Sequence, residues 1–298
     1  MLGVVVALLV AWLGGRALLA YTGIERVDLA DVLDPVTGAG VNYLLVGSDS
    51  REGFDPDVEP GGTSTVQGRR SDTLILLRTG PSGARMMSIP RDLWVTYPVS
   101  RVEGRINGAY DAGPAALVRT VQSALDVPVH HYVEIGFASF GGLVDAVGGV
   151  TVDFPHPASD VKSGLNVPQA GPVTLDGDQA LAYVRSRTYT EVIYGQAVVD
   201  PTADLGRQQR QQAFLRSALA EVGGERNPFR VVDAVSALSD GLVLDDSASA
   251  GELFALARSL SSSPPETVVL PTRPTVIDGA DVLLLVQPGA DEVLAGFR

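Results

Sequence analysis

The chain has 298 residues, 45% of them apolar and 19% charged, which suffices for a substantial buried core and is too hydrophobic for a disordered protein. A formal net charge of -13 argues against a nucleic-acid partner, which needs a broad basic surface, and the absence of cysteine excludes disulfides, thiol catalysis and zinc-thiolate sites. Three histidines, His130, His131 and His156, leave little material for a His-based triad or a multi-histidine metal centre, so chemistry has to rest on carboxylates and arginines.

Residues 1–21 read MLGVVVALLVAWLGGRALLAY, apolar except at Arg16, with Trp12 and Tyr21 placed as interface anchors. A spanning helix takes about 20 such residues, so an N-terminal transmembrane helix is expected; a cleaved signal peptide is the rival, but no small-x-small cleavage site follows. Residues 22–40, with Pro35, Gly38 and Gly40, are expected to be a linker, and 41–298 a single folded domain. Apolar Tyr43–Gly47 predicts a buried strand ending in Ser48-Asp49-Ser50-Arg51, followed by a Gly/Pro/Asp-rich loop over 52–68. Leu74–Leu77 and Ala84–Ile89 predict two strands joined across the turn Gly80-Pro81-Ser82-Gly83. A hairpin there brings the start of one strand and the end of the other to one sheet edge, making Asp72 and Arg91 neighbours. Residues 115–125 and 139–147 align apolar residues at helical spacing, Gly148-Gly149 ends the second helix, and Val150–Phe154 predicts a further strand. A short helix is expected around Asp178–Ala182, and a longer one from Asp204, a plausible N-cap, through Val222. Beyond it lie a helix near 250–260 and strand-like runs at Thr267–Leu270 and Val282–Val286. Strands and helices alternate, so the expected class is α/β, a three-layer α/β/α domain around a central mixed sheet.

Four charge clusters stand at the ends of apolar runs, where α/β folds concentrate function: Asp49/Arg51, Arg70/Asp72, Arg91/Asp92 and Arg185/Arg187. Arg185 and Arg187 are two apart, so on an extended segment they share a face, and two guanidinium forks on one face suit a diphosphate. Arg207, Arg210 and Gln211 fall on the first turns of the helix from Asp204, a stripe that turns apolar at Phe214, Leu215, Ala218 and Val222. Two carboxylates can hold hard, oxygen-seeking Mg²⁺ while arginines neutralise phosphate oxygens, and Asp49 and Asp72 are the better metal candidates. Taken singly, each is equally a solvated carboxylate at a strand end; their convergence on one edge favours the functional reading. Gly47-Ser48-Asp49-Ser50 lacks the G-x-S-x-G pattern and a well-placed histidine, so a serine nucleophile is disfavoured. His130-His131 is read as the start of a strand rather than a ligand pair, and the Gly-rich 141–149 has no phosphate-loop lysine.

Together the motifs resemble the LytR-CpsA-Psr family of cell-wall glycopolymer ligases. The matching stretches are Asn42 to Arg51 (NYLLVGSDSR), Arg70 to Thr73 (RSDT), Ser88 to Asp92 (SIPRD), Arg105 to Asn107 (RIN), Leu143 to Val150 (LVDAVGGV), Gly177 to Ala180 leading into Tyr183 to Arg187 (YVRSR), and Asp204 to Gln212 (DLGRQQRQQ). They run in order over roughly residues 42–222. The resemblance implies a membrane helix followed by an extracytoplasmic α/β domain with a hydrophobic tunnel for a polyprenyl chain, placing the protein in the cell membrane with a single span. It implies Mg²⁺ (or Mn²⁺) on Asp49 and Asp72, the pyrophosphate on Arg70, Arg91, Arg185, Arg187, Arg207 and Gln211, and support from Arg51 and Arg210. The apolar faces at 115–125 and 139–147 are candidates for tunnel walls or plain core. Residues 192–202 lengthen the usual spacing between Arg187 and Arg207, as an insertion would.

The expected activity is transfer of a glycan from a polyprenyl-pyrophosphate carrier to a peptidoglycan acceptor through a phosphodiester, with Arg91 and the two aspartates in catalytic roles and one aspartate as base. Two other readings compete: a pyrophosphatase acting on the same carrier, and a non-catalytic lipid-binding or regulatory membrane protein. Lys162 is the single lysine among 22 basic residues, an arginine skew that suggests a GC-rich source and makes arabinogalactan the leading glycopolymer.

Overall fold

The computed structural model describes residues 15–16, 18–48, 71–81, 83–202, 204–224, 233, 236–237, 239, 241–262 and 265–298. Seven strands form the central sheet: β1 (Glu25–Val27), β2 (Val41–Ser48), β3 (Ser71–Gly80), β4 (Gly83–Ile89), β5 (His131–Gly136), β6 (Leu242–Asp245) and β7 (Glu266–Val269), in the spatial order β1-β6-β5-β2-β3-β4-β7. The pairs β1/β6, β2/β5 and β4/β7 are parallel and β5/β6, β2/β3 and β3/β4 antiparallel, so the sheet is mixed.

Both faces of this sheet are covered, which is why its strands read as continuous apolar runs instead of alternating patterns. Leu44, Val46, Leu74, Leu76, Met87 and Ile89 pack with Leu117, Val118 and Val121 of helix α1 (Pro114–Leu125) on one side. The alternate residues Tyr43, Ile75, Leu77 and Met86 pack on the other side, towards Leu215 of a long helix over 204–224 and Leu253, Leu256 and Leu260 of one over 250–262. The apolar face at 115–125 is therefore core: Leu117, Val118 and Val121 are fully buried, and truncating such a leucine costs about 2–5 kcal/mol.

A second cluster stands beside the sheet. It joins helices α2 (Phe137–Val147) and α3 (Gly177–Arg185) and the antiparallel strands Val150–Phe154 and Gly171–Leu175 to Phe214 and Ala218 of α4 (Asp204–Gly224). The turn after α2 needs left-handed backbone, supplied by Gly148 and Gly149 with φ of 90° and 95°. Helix α4 bridges the two clusters, because Phe214 and Ala218 lie on one flank and Leu215 on another.

The structure corrects the linker expectation, gives residues 192–202 a shape, and leaves most of the expected transmembrane segment outside the described residues. Residues 22–40 are built into the domain: Ile24 and Leu29 are buried, and Glu25–Val27 is a sheet strand, too short to carry a periodic signature. Residues 192–202 contribute a β-hairpin, Thr190–Ile193 paired with Gln196–Val199, whose turn residues Tyr194 and Gly195 both have positive φ, the two-residue turn that suits strand twist. Of the expected transmembrane segment, residues 1–14 and 17 lie outside the described residues; no described helix is long and apolar enough to cross a membrane. Arg16 pairs with Asp233 at 3.1 Å, and the Tyr21 hydroxyl donates to the Ala248 carbonyl at 3.2 Å.

Candidate active site

The sheet register assembles one edge. Ser48 at the end of β2 faces both Ser71 at the start of β3 and Gly136 at the end of β5. Gly47 pairs with Thr73 and Ser48 with Ser71, so Asp72 is the extra residue of a β-bulge, a device common beside active sites. Leu74 pairs with Ile89, so the start of β3 and the end of β4, with Arg91 two residues beyond it, lie at this same edge. Asp49 directly follows Ser48 in sequence; Asp49, Arg51 and Arg70 lie outside the described residues, as does the side chain of Asp72. Among the described residues there is no cluster of three or more potential metal ligands.

Arg91 is oriented by its surroundings. Its Nε lies 3.3 Å from Asp92 Oδ2, while the other oxygen of Asp92 meets Arg105 Nε at 3.2 Å. The backbone of the turn is pinned as well: the Asn107 N–H donates to the Arg91 carbonyl at 3.3 Å and the Leu93 N–H to that of Pro90 at 3.0 Å. This gives the Arg105-Ile106-Asn107 stretch a physical role, with Ile106 fully buried beneath it.

The second group of candidates sits where α3 meets α4, alongside α2, the helix that starts immediately after Gly136 at the edge. Arg185 closes α3, Ser186 is extended and Arg187 lies in the bend that follows; both arginines are exposed while Ser186 between them is fully buried, so the two project outward. Arg207 is only 2% exposed, among the largest side chains to be so buried, at a depth where charge costs free energy unless compensated. Arg210 is turned to a different surface: it donates to Asp200 Oδ2 at 2.7 Å and to the Ser186 carbonyl at 2.8 Å, and lies 4.4 Å from the Tyr189 ring centre. Gln211 Nε2 donates to the Val184 carbonyl at 3.0 Å. The expected common stripe of 207, 210 and 211 is thereby split, with Arg210 fastening the chain at the end of the 190–199 hairpin to α4. A cavity of about 460 Å³ between that hairpin and α4 is lined by Tyr183, Tyr189, Glu191, Asp200, Gln209 and Arg210.

Buried Asp160 and Glu134 and half-buried Asp200 were missed in the sequence. Asp160 takes hydrogen bonds from Ser186 Oγ (2.7 Å), Thr188 N (2.8 Å), Thr188 Oγ1 (2.6 Å) and Lys162 N (2.9 Å). Burial alone would raise its pKa, but the Thr188 and Ser186 hydrogen bonds prevail and hold it far below the usual carboxylate range. Asp200 behaves alike, burial opposing and Thr202 and Arg210 lowering. Glu134 pairs in register with Val46, near the edge, and accepts hydrogen bonds from the Tyr110 hydroxyl and from Tyr132 Oη at 2.6 Å. Only Glu134 had a visible signal, a charged residue interrupting an apolar strand. At the opposite end of the sheet His131 does start β5, its Nδ1 3.3 Å from Asp245 Oδ2.

The chain matches the model of the LytR_cpsA_psr family over residues 21–296. It is 36% identical over 224 residues to the probable cell wall biosynthesis protein LcpB of Corynebacterium glutamicum, covering 73% of this chain and 51% of that protein. It is 33% identical over 214 residues to the polyisoprenyl-teichoic acid–peptidoglycan teichoic acid transferase TagU of Oceanobacillus iheyensis, covering 69% and 58%. The chain thus spans little more than half the length of these curated relatives. Among solved structures, a LytR-Csp2A-Psr enzyme from Actinomyces oris superposes with a TM-score of 0.74 at 26% identity, covering 92% of this chain and 95% of that one. TagT bound to LI-WTA superposes with a TM-score of 0.68 at 25% identity, covering 91% and 98%. A family match spanning the central sheet, the Arg91 turn and the α3–α4 junction leaves one assignment: this protein is a member of the LytR_cpsA_psr family.

Proposed function

We propose that the protein is a phosphotransferase that moves a glycopolymer from a polyprenyl-pyrophosphate carrier to peptidoglycan at the outer face of the cell membrane. The observation that supports this reading is the edge itself, where the end of β2, the start of β3 and the end of β4, with Arg91 just beyond it, come together. In this scheme an acceptor hydroxyl oxygen bonds to the glycan-side phosphorus, the bond from that phosphorus to the bridging oxygen breaks, and polyprenyl phosphate leaves. The hydroxyl proton passes to Asp49 or Asp72 acting as base. Arg91, Arg185, Arg187, Arg207 and Gln211, with Arg51 and Arg70, hold the pyrophosphate oxygens and offset the charge that grows on the leaving group. Asp49 and Asp72 are the residues that hold Mg²⁺ or Mn²⁺, which when bound supplies further positive charge at the same oxygens. The curated relatives' names, a teichoic acid transferase and a cell wall biosynthesis protein, support the substrate class, and arabinogalactan is the first glycopolymer to test given the arginine skew.

The test is incubation of the protein with a synthetic polyprenyl-pyrophosphate glycan, a peptidoglycan oligomer and Mg²⁺, read by mass spectrometry. A glycan-phosphate-peptidoglycan product, lost in Arg91→Ala, is the expected result. Polyprenyl phosphate with free glycan phosphate would instead make the protein a hydrolase, and unchanged substrate retained by the protein would make it a lipid binder.

A further inference from the structure

We infer that Asp160 is the positioning residue of the Arg185/Arg187 pair, acting through Ser186 and Thr188; this rests on the reading that those arginines take the pyrophosphate. Ser186, the residue between them, is fully buried and fixed at three atoms. Its N–H donates to the Tyr183 carbonyl at 3.3 Å, its carbonyl accepts from Arg210 at 2.8 Å, and its hydroxyl donates to Asp160 Oδ2 at 2.7 Å. Thr188, on the other side of Arg187, places both its N–H and its hydroxyl on the same carboxylate, at 2.8 and 2.6 Å. Arg187 is thus bracketed by two residues tied to one anion.

Asp160 itself cannot drift. It is 2% exposed, stands at the end of the strand Ala158–Asp160, and its carbonyl accepts from the Gly164 N–H at 2.9 Å while Lys162 N donates to its side chain. A carboxylate that buried is costly unless its lone pairs are used, and three of its four donors come from the arginine segment. An apolar pair at 160 and 186 would fill the same space without setting a torsion. Hydrogen bonds to a fixed anion do set it, and so hold exposed side chains at 185 and 187 on the outer side of the segment. The positioning residue therefore supplies preorganisation to groups it does not touch.

The test uses the full chain and farnesyl pyrophosphate as the binding probe, with Asp160→Asn, Ser186→Ala, the double variant Arg185→Ala/Arg187→Ala, and each of the first two introduced into that double variant. Asp160→Asn and Ser186→Ala are expected to weaken binding by about tenfold or more in the native background and by less than about twofold where the arginines are already absent, the non-additivity of residues acting through one another. Equal losses in both backgrounds would show a general structural defect and overturn the inference, as would near-native binding by both single variants when the arginine double variant binds poorly. Should the arginine double variant bind as well as the wild type, the pyrophosphate reading of the pair fails first, and the inference with it. If Asp160→Asn does not fold, Ser186→Ala decides the matter, since it removes one hydroxyl and leaves the carboxylate its other donors.

Discussion

Replacing Gly177 by alanine probes the joint that carries the Arg185 helix. Helix α3 begins where it crosses α2, and the Gly177 N–H donates to Asp145 Oδ1 at 2.8 Å. A Cβ at 177 would lie 2.5 Å from the Gly141 carbonyl oxygen and 2.8 Å from Asp145 Oδ2, where ordinary contact begins near 3.4 Å, so the helices must part by up to about 0.9 Å. Overpacking of this kind costs about 1–3 kcal/mol, and weakening a hydrogen bond to a carboxylate adds up to about 1.5–3 kcal/mol. Alanine's better helix propensity returns less than about 1 kcal/mol. The net expectation is a loss of roughly 2–4 kcal/mol, seen as a fall in Tm of roughly 5–10 °C by calorimetry. Gly142→Ala in α2 is the control: its Cβ would meet the Ala237 Cβ at 3.5 Å, an ordinary contact, and is expected to be neutral or mildly stabilising. Equal stability of the Gly177 variant and the wild type, or equal losses in both variants, would refute the close-crossing argument.

Two further outcomes are expected. His130 accepts the Asn42 N–H on Nδ1 at 2.8 Å, and burial lowers its pKa against the raising effect of Asp34, with His131 and Arg78 lowering it further. A depressed folded pKa gives stability that is complete above the unfolded value near 6.5 and is lost as pH falls through it towards the folded value. Urea midpoints should therefore decline as pH falls below about 6.5 more steeply in the wild type than in His130→Asn, whose amide oxygen still accepts; parallel profiles would disprove the linkage. Tyr132→Phe and Tyr110→Phe each remove a phenol donor from buried Glu134, and each should cost about 1.5–3 kcal/mol in chemical denaturation, with the double variant departing from additivity because both act on one carboxylate.

The architecture couples the two halves of the candidate site without a direct strand between them. Helix α2 leaves the sheet edge right after Gly136, and Phe140 on it packs against Phe214 of α4 with ring centres 5.3 Å apart. The exposed arginines of the α3–α4 junction are thereby referenced to the edge that carries positions 72 and 91, through packed side chains and the Gly141–Gly177 crossing.

What the sequence by itself determined was whatever is encoded locally. The apolar runs of β2, β3 and β4, the helical faces of α1 and α2, and the turn at Gly80–Gly83 follow from periodicity and turn chemistry, which act over a few residues. The hairpin joining β3 and β4 was legible too, since a tight turn fixes its own register. Only the tertiary structure decided what depends on partners distant in the chain. Glu25–Val27 became a strand because β6 pairs with it, more than 200 residues later, and Arg210 left the Arg207 stripe because the 190–199 hairpin sets its flanking residues Tyr189 and Asp200 against it. Asp160 carries no local signal at all. Its role exists because folding brings Ser186 and Thr188 onto a carboxylate 26 and 28 positions earlier, and the cost of burying that charge is offset only by contacts that sequence spacing does not display.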